Sequence, residues 1–73
     1  FKHQWISAIN RYNKILEEYN NSVYTEEALH RLVEIYYSLG LTEEAKRYAS
    51  TLGFNFPDSD WYIKSYELVK DLS

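Results

Sequence analysis

The sequence of 73 residues has no cysteine, two glycines and one proline. Without cysteine the chain forms neither a disulfide nor a thiolate metal site, so packing has to supply its stability. No apolar run approaches the roughly 18 residues that a membrane-spanning helix needs. The formal net charge is −3, and a clustered basic face is missing, which disfavours nucleic acid as a partner.

Aromatic residues are abundant instead: eight Tyr, three Phe and two Trp make up 18% of the chain. Each such ring buries roughly 150–250 Å² when it is packed. A chain of this length forms one small domain at most. We therefore expect large aromatic rings to lie between its secondary-structure elements.

One short pattern occurs twice, from residue 19 and again 37 positions later, from residue 56. Residues 19–24 and residues 56–61 each begin with an aromatic, continue with two turn formers and a serine, and end with another aromatic. The register continues upstream, where Ala8 corresponds to Ala45. Repeats of this length are typical of stacked helical hairpins, each too small to bury its own apolar face.

Apolar periodicity and helix-ending residues predict an all-α chain of about four helices. In the first helix the apolar residues recur at spacings of four and three, as Trp5, Ile9, Tyr12, Leu16 and Tyr19. The chain then divides into the second helix of one repeat over 2–19, a full hairpin over 22–53 and the first helix of the next repeat over 59–72. Asn20-Asn21, Gly40 and Gly53 mark the predicted helix ends.

Serine, threonine and aspartate stand where the helices are predicted to begin. We expect Ser22, Thr42 and either Asp58 or Ser59 to act as N-caps, because their side-chain oxygens accept unpaired backbone N–H groups. Gly40 followed by an apolar residue predicts a Schellman-type helix end. The predicted core comprises Ala28, Leu29, Leu32, Ile35, Tyr36 and Leu39 on the second helix and Ala45, Tyr48, Ala49 and Leu52 on the third. The fourth helix carries the apolar residues Trp61, Tyr62, Tyr66, Val69 and Leu72.

The pattern over residues 26–59 resembles the tetratricopeptide repeat, and six residues have family-like spacings: Leu29, Leu32, Tyr36, Gly40, Ala45 and Pro57. This family resemblance implies that the helices form a short right-handed solenoid fragment. Val33 departs from that family, which usually has a small residue there. A more specific pattern is formed by the amino acids at positions 8–12, 19–22, 26–29, 32–36, 39–45 and 52–59. It resembles the C-terminal repeats of the BamD (ComL/YfiO-like) family of outer-membrane lipoproteins, with Asn20 where that family usually has proline.

This resemblance implies a non-catalytic protein–protein interaction scaffold of the outer-membrane β-barrel assembly (BAM) complex. It also implies a place at the periplasmic face of the outer membrane, with a lipidated N-terminal cysteine as the anchor. Because this chain lacks cysteine and opens midway through a hairpin, we expect it to be a fragment of a longer protein. The partners that the family implies are the periplasmic domain of BamA and small accessory lipoproteins.

The resemblance also implies a partner-binding residue on the first helix. Arg11 matches an arginine that relatives have in their BamA-facing region, and Asn10, Asn13 and Lys14 are its polar neighbours. The planar guanidinium of arginine suits a bidentate pair with a carboxylate. The alternative is that Arg11 is an ordinary solvated helix residue.

The tyrosines allow a second functional hypothesis. Tyr24, Tyr37, Tyr48 and Tyr62 would line a concave groove, and a periplasmic tetratricopeptide-type protein would bind peptides or cell-envelope proteins through it. The alternative is packing between hairpins, with each hydroxyl at the surface. Apolar residues at both ends of the chain, Trp5 and Ile6 or Trp61 and Tyr66, would also favour association between copies.

No pattern predicts catalysis, a metal or a cofactor. His3 and His30 are the only histidines and stand on different helices, so surface or half-buried positions are a better interpretation than metal ligation. The adjacent glutamate pairs 17–18, 26–27 and 43–44 point about 100° apart on a helix, which is unsuited to sharing a proton. We therefore predict a protein that is not an enzyme.

Overall fold

The chain folds into four helices in the computed structural model, which describes residues 2–19 and 22–72. These are α1 (Lys2–Glu18), α2 (Val23–Ser38), α3 (Thr42–Asn55) and α4 (Asp60–Val69), and a 3₁₀ turn, Lys70–Leu72, follows the last helix. The described residues contain no strand, so the all-α prediction is confirmed. No helix within them has the length and apolar character that crossing a bilayer demands. The predicted turn at Asn20-Asn21 lies outside the described residues.

Helix α2 is the centre of the molecule, because α1, α3 and α4 all pack against it. It contributes Ala28, Leu29, Leu32, Val33 and Ile35 to the buried core, and α3 adds Ala45, Ala49 and Leu52. The short link of residues 39–41 turns the chain back, so that α2 and α3 form a hairpin. Helix α4 packs on both members of that hairpin, the order expected of stacked helical hairpins.

The predicted ends of α2 are confirmed. Ser22 is the N-cap: its Oγ accepts the Thr25 N–H at 3.4 Å, and its own N–H donates to Thr25 Oγ1 at 3.2 Å. At the other end Gly40 has φ 79°, a conformation that costs other residues a Cβ clash. The Leu41 N–H donates to the Tyr36 carbonyl at 2.9 Å, and the Gly40 N–H to the Tyr37 carbonyl at 3.1 Å. This pair of bonds is the Schellman motif.

The predicted cap of α3 is wrong, and the helix is longer than expected. Leu41 takes the N-cap position, because it follows the Schellman turn directly and its carbonyl accepts the Ala45 N–H at 3.1 Å, the first hydrogen bond of α3. Thr42 is therefore the first helical residue and caps nothing. Helix α3 does not end at Gly53 but continues to Asn55, because the Phe56 N–H still reaches the Leu52 carbonyl at 2.8 Å.

Of the two candidate caps for α4, the structure selects Ser59. Its Oγ accepts the N–H groups of Trp61 at 3.0 Å and Tyr62 at 3.4 Å. Ser59 is itself buried, whereas Asp58 is exposed. The serine hydroxyl thus accepts backbone N–H groups of the first turn that have no partner within the helix.

The predicted core is largely right on α2 and α3, but Leu39, which was expected inside, is 37% exposed. Tyr66 is 51% exposed, in agreement with its predicted place on an apolar face at the end of the chain. Tyr36 and Tyr48 are half-buried and stack on each other, with ring centroids 5.5 Å apart and planes at 5°. Burial raises the pKa of the Tyr36 hydroxyl, and the neighbouring Tyr48 raises it further.

Candidate functional site

The polar residues predicted to bind a partner lie together on α1. Asn10, Arg11 and Lys14 are exposed, and Asn13 is half-buried at the edge of this group. Positions three and four apart are neighbours on a helix surface, so the four side chains form one continuous polar patch. Arg11 also borders a shallow surface cleft on the same helix, with Gln4, Ser7 and Ala8. The structure therefore places all four predicted residues on one helix, at or near solvent.

Most cations of the other helices are held by glutamates one turn away. Arg31 pairs with Glu34 at 2.9 Å, Lys46 with Glu43 at 3.2 Å, and Arg47 with Glu44 at 3.3 Å. Lys70 pairs with Glu67 in the same way. Among the residues that the structure describes, neither Arg11 nor Lys14 enters such a pair. Their charges are therefore available to a partner without breaking an internal ion pair.

The four groove tyrosines are not gathered into one cluster. Tyr24 lies against Tyr19 at 5.5 Å between ring centroids, Tyr48 stacks on Tyr36, and Tyr62 lies against Tyr66 at 6.3 Å. Each of these three rings thus contacts an aromatic outside the predicted set. Tyr37 is exposed and joins no aromatic pair among the described residues. The exposed rings of Tyr24 and Tyr37 remain available for binding, while those of Tyr48 and Tyr62 are half-buried.

A buried polar pair between α2 and α4 was not predicted from the sequence. His30 is 5% exposed and Ser65 is 0% exposed, and His30 Nδ1 lies 2.7 Å from Ser65 Oγ. The prediction of a surface or half-buried His30 is therefore wrong. The side chain of His3 lies outside the described part of the chain. The sequence offered one signal for it: Ser65 is a small polar residue at the repeat position of Ala28, which was predicted to be in the core.

Charged and aromatic groups surround this pair. His30 Nε2 lies 3.5 Å from Glu34 Oε2, and the other oxygen of that carboxylate accepts from Arg31. The Trp61 ring covers His30, with centroids 5.2 Å apart. Two cations lie over the same indole: Lys64 Nζ at 4.6 Å from its centroid and Arg31 Cζ at 5.4 Å. We call these six residues, His30, Arg31, Glu34, Trp61, Lys64 and Ser65, the histidine cluster.

The histidine cluster favours a neutral imidazole. Burial lowers the pKa of His30 below its usual 6.5, because the charged ring loses its hydration. Glu34 acts in the opposite direction, and the cations Arg31 and Lys64 lower the pKa further. The Glu34 carboxylate also favours the tautomer with the proton on Nε2. Nδ1 is then the acceptor, and the Ser65 hydroxyl donates to it.

A serine, a histidine and a glutamate in one cluster suggest nucleophilic catalysis, but the geometry does not support it. Ser65 is fully buried between α2 and α4, so no substrate reaches its hydroxyl. All three side chains also have partners within the fold. Within residues 2–19 and 22–72 no group of three or more metal-binding side chains converges. The histidine cluster is therefore a buried connection between two helices.

Apolar side chains line an open cleft where α1 meets the turn between α2 and α3. This cleft has a volume of about 260 Å³ and is lined by Trp5, Ile6, Ile9, Leu39 and Leu41. Trp5 and Ile6 are exposed, as the sequence predicted for this end of the chain. At the other end Tyr66 is exposed, but Trp61 is half-buried in the histidine cluster.

Comparisons with known proteins relate the chain to one family. The "Outer membrane protein assembly factor BamD" of Rickettsia prowazekii is 48% identical over 66 residues, which are 90% of this chain and 26% of that protein. The protein of the same name from Caulobacter vibrioides is 46% identical over 68 residues, 93% of this chain and 22% of its own length. The chain thus spans about a quarter of the length of these curated relatives. No solved structure gives a significant match.

The model of the YfiO family, described as "Outer membrane lipoprotein", matches residues 1–52. That segment includes the polar patch on α1, the whole of α2 and most of α3. It also includes much of the sequence on which the family resemblance depended. Because this family model covers more than half of the chain, the chain belongs to the YfiO family of outer membrane lipoproteins.

Proposed function

We propose that this chain is part of a non-catalytic scaffold that binds proteins during assembly of outer-membrane β-barrels, at the periplasmic face of the outer membrane. The observation that carries the proposal is the similarity to two outer membrane assembly factors over nine-tenths of the chain. The described fold supports it, because helical hairpins present side chains on a rigid surface and the one serine–histidine pair is closed to substrates.

The polar patch on α1 is the proposed partner-binding surface. Arg11 and Lys14 are exposed and carry charges that no described glutamate neutralises, and Asn10 and Asn13 add hydrogen-bonding groups beside them. A carboxylate on the partner would pair with the guanidinium of Arg11 through two parallel hydrogen bonds. The family resemblance points to the periplasmic domain of BamA as this partner, and to accessory lipoproteins of the same complex as further partners.

Charge reversal at Arg11 tests the proposal. We expect Arg11→Glu to weaken binding of the BamA periplasmic domain by about tenfold or more, because a favourable charge pair becomes a repulsive one. Isothermal titration calorimetry would measure the affinity, and circular dichroism would establish that the variant is folded.

Arg47→Glu is the matched control for this experiment. Arg47 is also an exposed arginine on a helix, but it lies on α3 and pairs with Glu44. The same change of charge at Arg47 should leave the affinity within about twofold, the small effect of a charge outside an interface. Unaltered affinity of a folded Arg11→Glu protein would contradict the role assigned to the patch, and equal losses in both variants would indicate a nonspecific effect of charge.

The second candidate function is a periplasmic tetratricopeptide-type protein that binds peptides through its tyrosines. The exposure of the Tyr24 and Tyr37 rings favours it. In that case Arg11→Glu would keep its affinity for peptide, and Tyr24→Ala or Tyr37→Ala would lose it.

A further inference from the structure

The contact between α2 and α4 contains a titratable group at its centre. His30 from α2 and Ser65 from α4 are both buried, and their side chains are joined at 2.7 Å. This is the one hydrogen bond between side chains of α2 and α4 that the described residues contain. Trp61 of α4 covers the imidazole, so docking of α4 is what removes the ring from water. Any change in the charge of His30 therefore acts directly on the docking of α4.

We propose that protonation of His30 releases α4 from α2, so that the last helix undocks as the pH falls. The docked arrangement suits a neutral ring, whose Nδ1 accepts from the Ser65 hydroxyl. An imidazolium has a proton on both nitrogens, so Ser65 can no longer donate to it and has to rotate to accept instead. A buried positive charge also has to be stabilised without water.

The charges around His30 do not compensate an imidazolium. Glu34 of α2 is the one carboxylate beside it, and it already accepts a hydrogen bond from Arg31 at 2.9 Å. Arg31 and Lys64, from α2 and α4, both repel a charged ring. From α1, Tyr12 acts on Arg31, and no charged group of α3 acts on His30 among the described residues.

The direction of the pH effect follows from linkage. The docked state holds the pKa of His30 below 6.5, mainly by burial, and the undocked state returns it toward 6.5. Docking is therefore fully stabilised above pH 6.5, and this stabilisation is lost as the pH falls toward the lowered value. Within that window the undocked state binds one more proton. The equilibrium constant for undocking then rises up to about tenfold per pH unit.

Hydrogen exchange measured between pH 7.5 and pH 5.0 tests the proposal. After correction for intrinsic exchange, the amides of α4 should open more readily at the lower pH, by up to about tenfold per pH unit below 6.5. In His30→Gln, which keeps a hydrogen-bonding side chain but cannot titrate, opening of α4 should not change with pH in this range. Equal pH dependence of α4 in the wild-type chain and in His30→Gln would overturn the proposal.

A second measurement leaves the buried ring unchanged and does not depend on the folding of His30→Gln. In a His3→Gln chain, His30 is the only histidine, and nuclear magnetic resonance should give it a titration midpoint below 6.5. Lys64→Gln removes one repelling cation at the surface and should raise that midpoint, whereas Glu34→Gln should lower it. A midpoint at or above 6.5 would overturn the proposal, because the docked arrangement would then not disfavour an imidazolium. A midpoint that neither variant moves would contradict it too, because the charges of Lys64 and Glu34 would then not act on His30.

Discussion

At the scale of single residues, Gly53 shows how a tertiary contact selects an amino acid. The sequence suggested a helix end, but Gly53 lies inside α3. An added Cβ would come within 2.6 Å of Tyr62 Cζ and closer still to Tyr62 Cε1. The absence of a side chain is therefore what lets the half-buried ring of Tyr62, on α4, approach the backbone of α3.

We expect Gly53→Ala to lower the free energy of unfolding by about 1 kcal/mol. Overpacking against Tyr62 costs about 1–3 kcal/mol, and the better helix propensity of alanine returns about 1 kcal/mol of it. Urea unfolding would measure the difference. In a Tyr62→Ala background the clash is absent, so the same substitution should stabilise the chain. Stabilisation of equal size in both backgrounds would show that the ring does not limit this position.

At the scale of elements, the starts of α2 and α4 depend on the serine just before each helix. Ser22 and Ser59 supply hydroxyl acceptors to α2 and α4. Helix α3 begins at Thr42, and its N-cap residue Leu41 makes no side-chain hydrogen bond, but Glu43 and Glu44 stand in its first turn. Their negative charges interact favourably with the helix dipole there. Helix α4 has only ten residues, and helices this short are marginal by themselves in water, so its cap matters more.

We expect Ser59→Ala to destabilise the chain by about 1 kcal/mol, the typical cost of a lost N-cap. The loss removes an acceptor for the N–H groups of both Trp61 and Tyr62. Thermal unfolding followed by circular dichroism would measure it. Asp58→Ala is the matched control, because Asp58 is the neighbouring exposed residue and makes no described hydrogen bond to α4. A larger loss in the Asp58 variant would mean that the aspartate is the true cap.

At the scale of the whole molecule, the four helices differ in how extensively each is packed against the others. The molecule extends 33 × 32 × 15 Å, so it is thin in one direction. In a molecule this thin, few side chains are fully surrounded, which explains why large apolar residues remain exposed at both ends. Helix α1 packs on α2 and has no fully buried side chain among those described. Helix α2, in contrast, has partners on three sides.

We expect the amides of α1 to exchange with solvent faster than those of α2, because local opening of α1 exposes little core. Native-state hydrogen exchange with mass spectrometry at neutral pH would compare the two helices in one experiment. The core segment of α3, which contains Ala45 and Ala49, should exchange as slowly as α2. Equal protection of α1 and α2 would show instead that the whole chain opens as one cooperative unit.

Local patterns in the sequence were sufficient to predict the helices, most of their ends and the family. Ser22, Gly40 and the core of α2 follow rules that depend on residues within about one helical turn. The polar patch was implied by the family resemblance and not by a local rule. Its residues lie together because Asn10, Arg11 and Lys14 are close in sequence on one helix. That the patch binds a partner stays a prediction, which the proposed titration tests.

The sequence by itself thus determined which segments are helical and which faces are apolar. Only the tertiary structure decided which faces meet. His30 and Ser65 are 35 residues apart and become partners only when α4 docks on α2. Likewise the ring of Tyr62, on α4, leaves no room for a side chain at Gly53, on α3. Tyr66 stays exposed because no described helix covers it. The physical reason is that burial depends on contacts between helices, which no local pattern encodes.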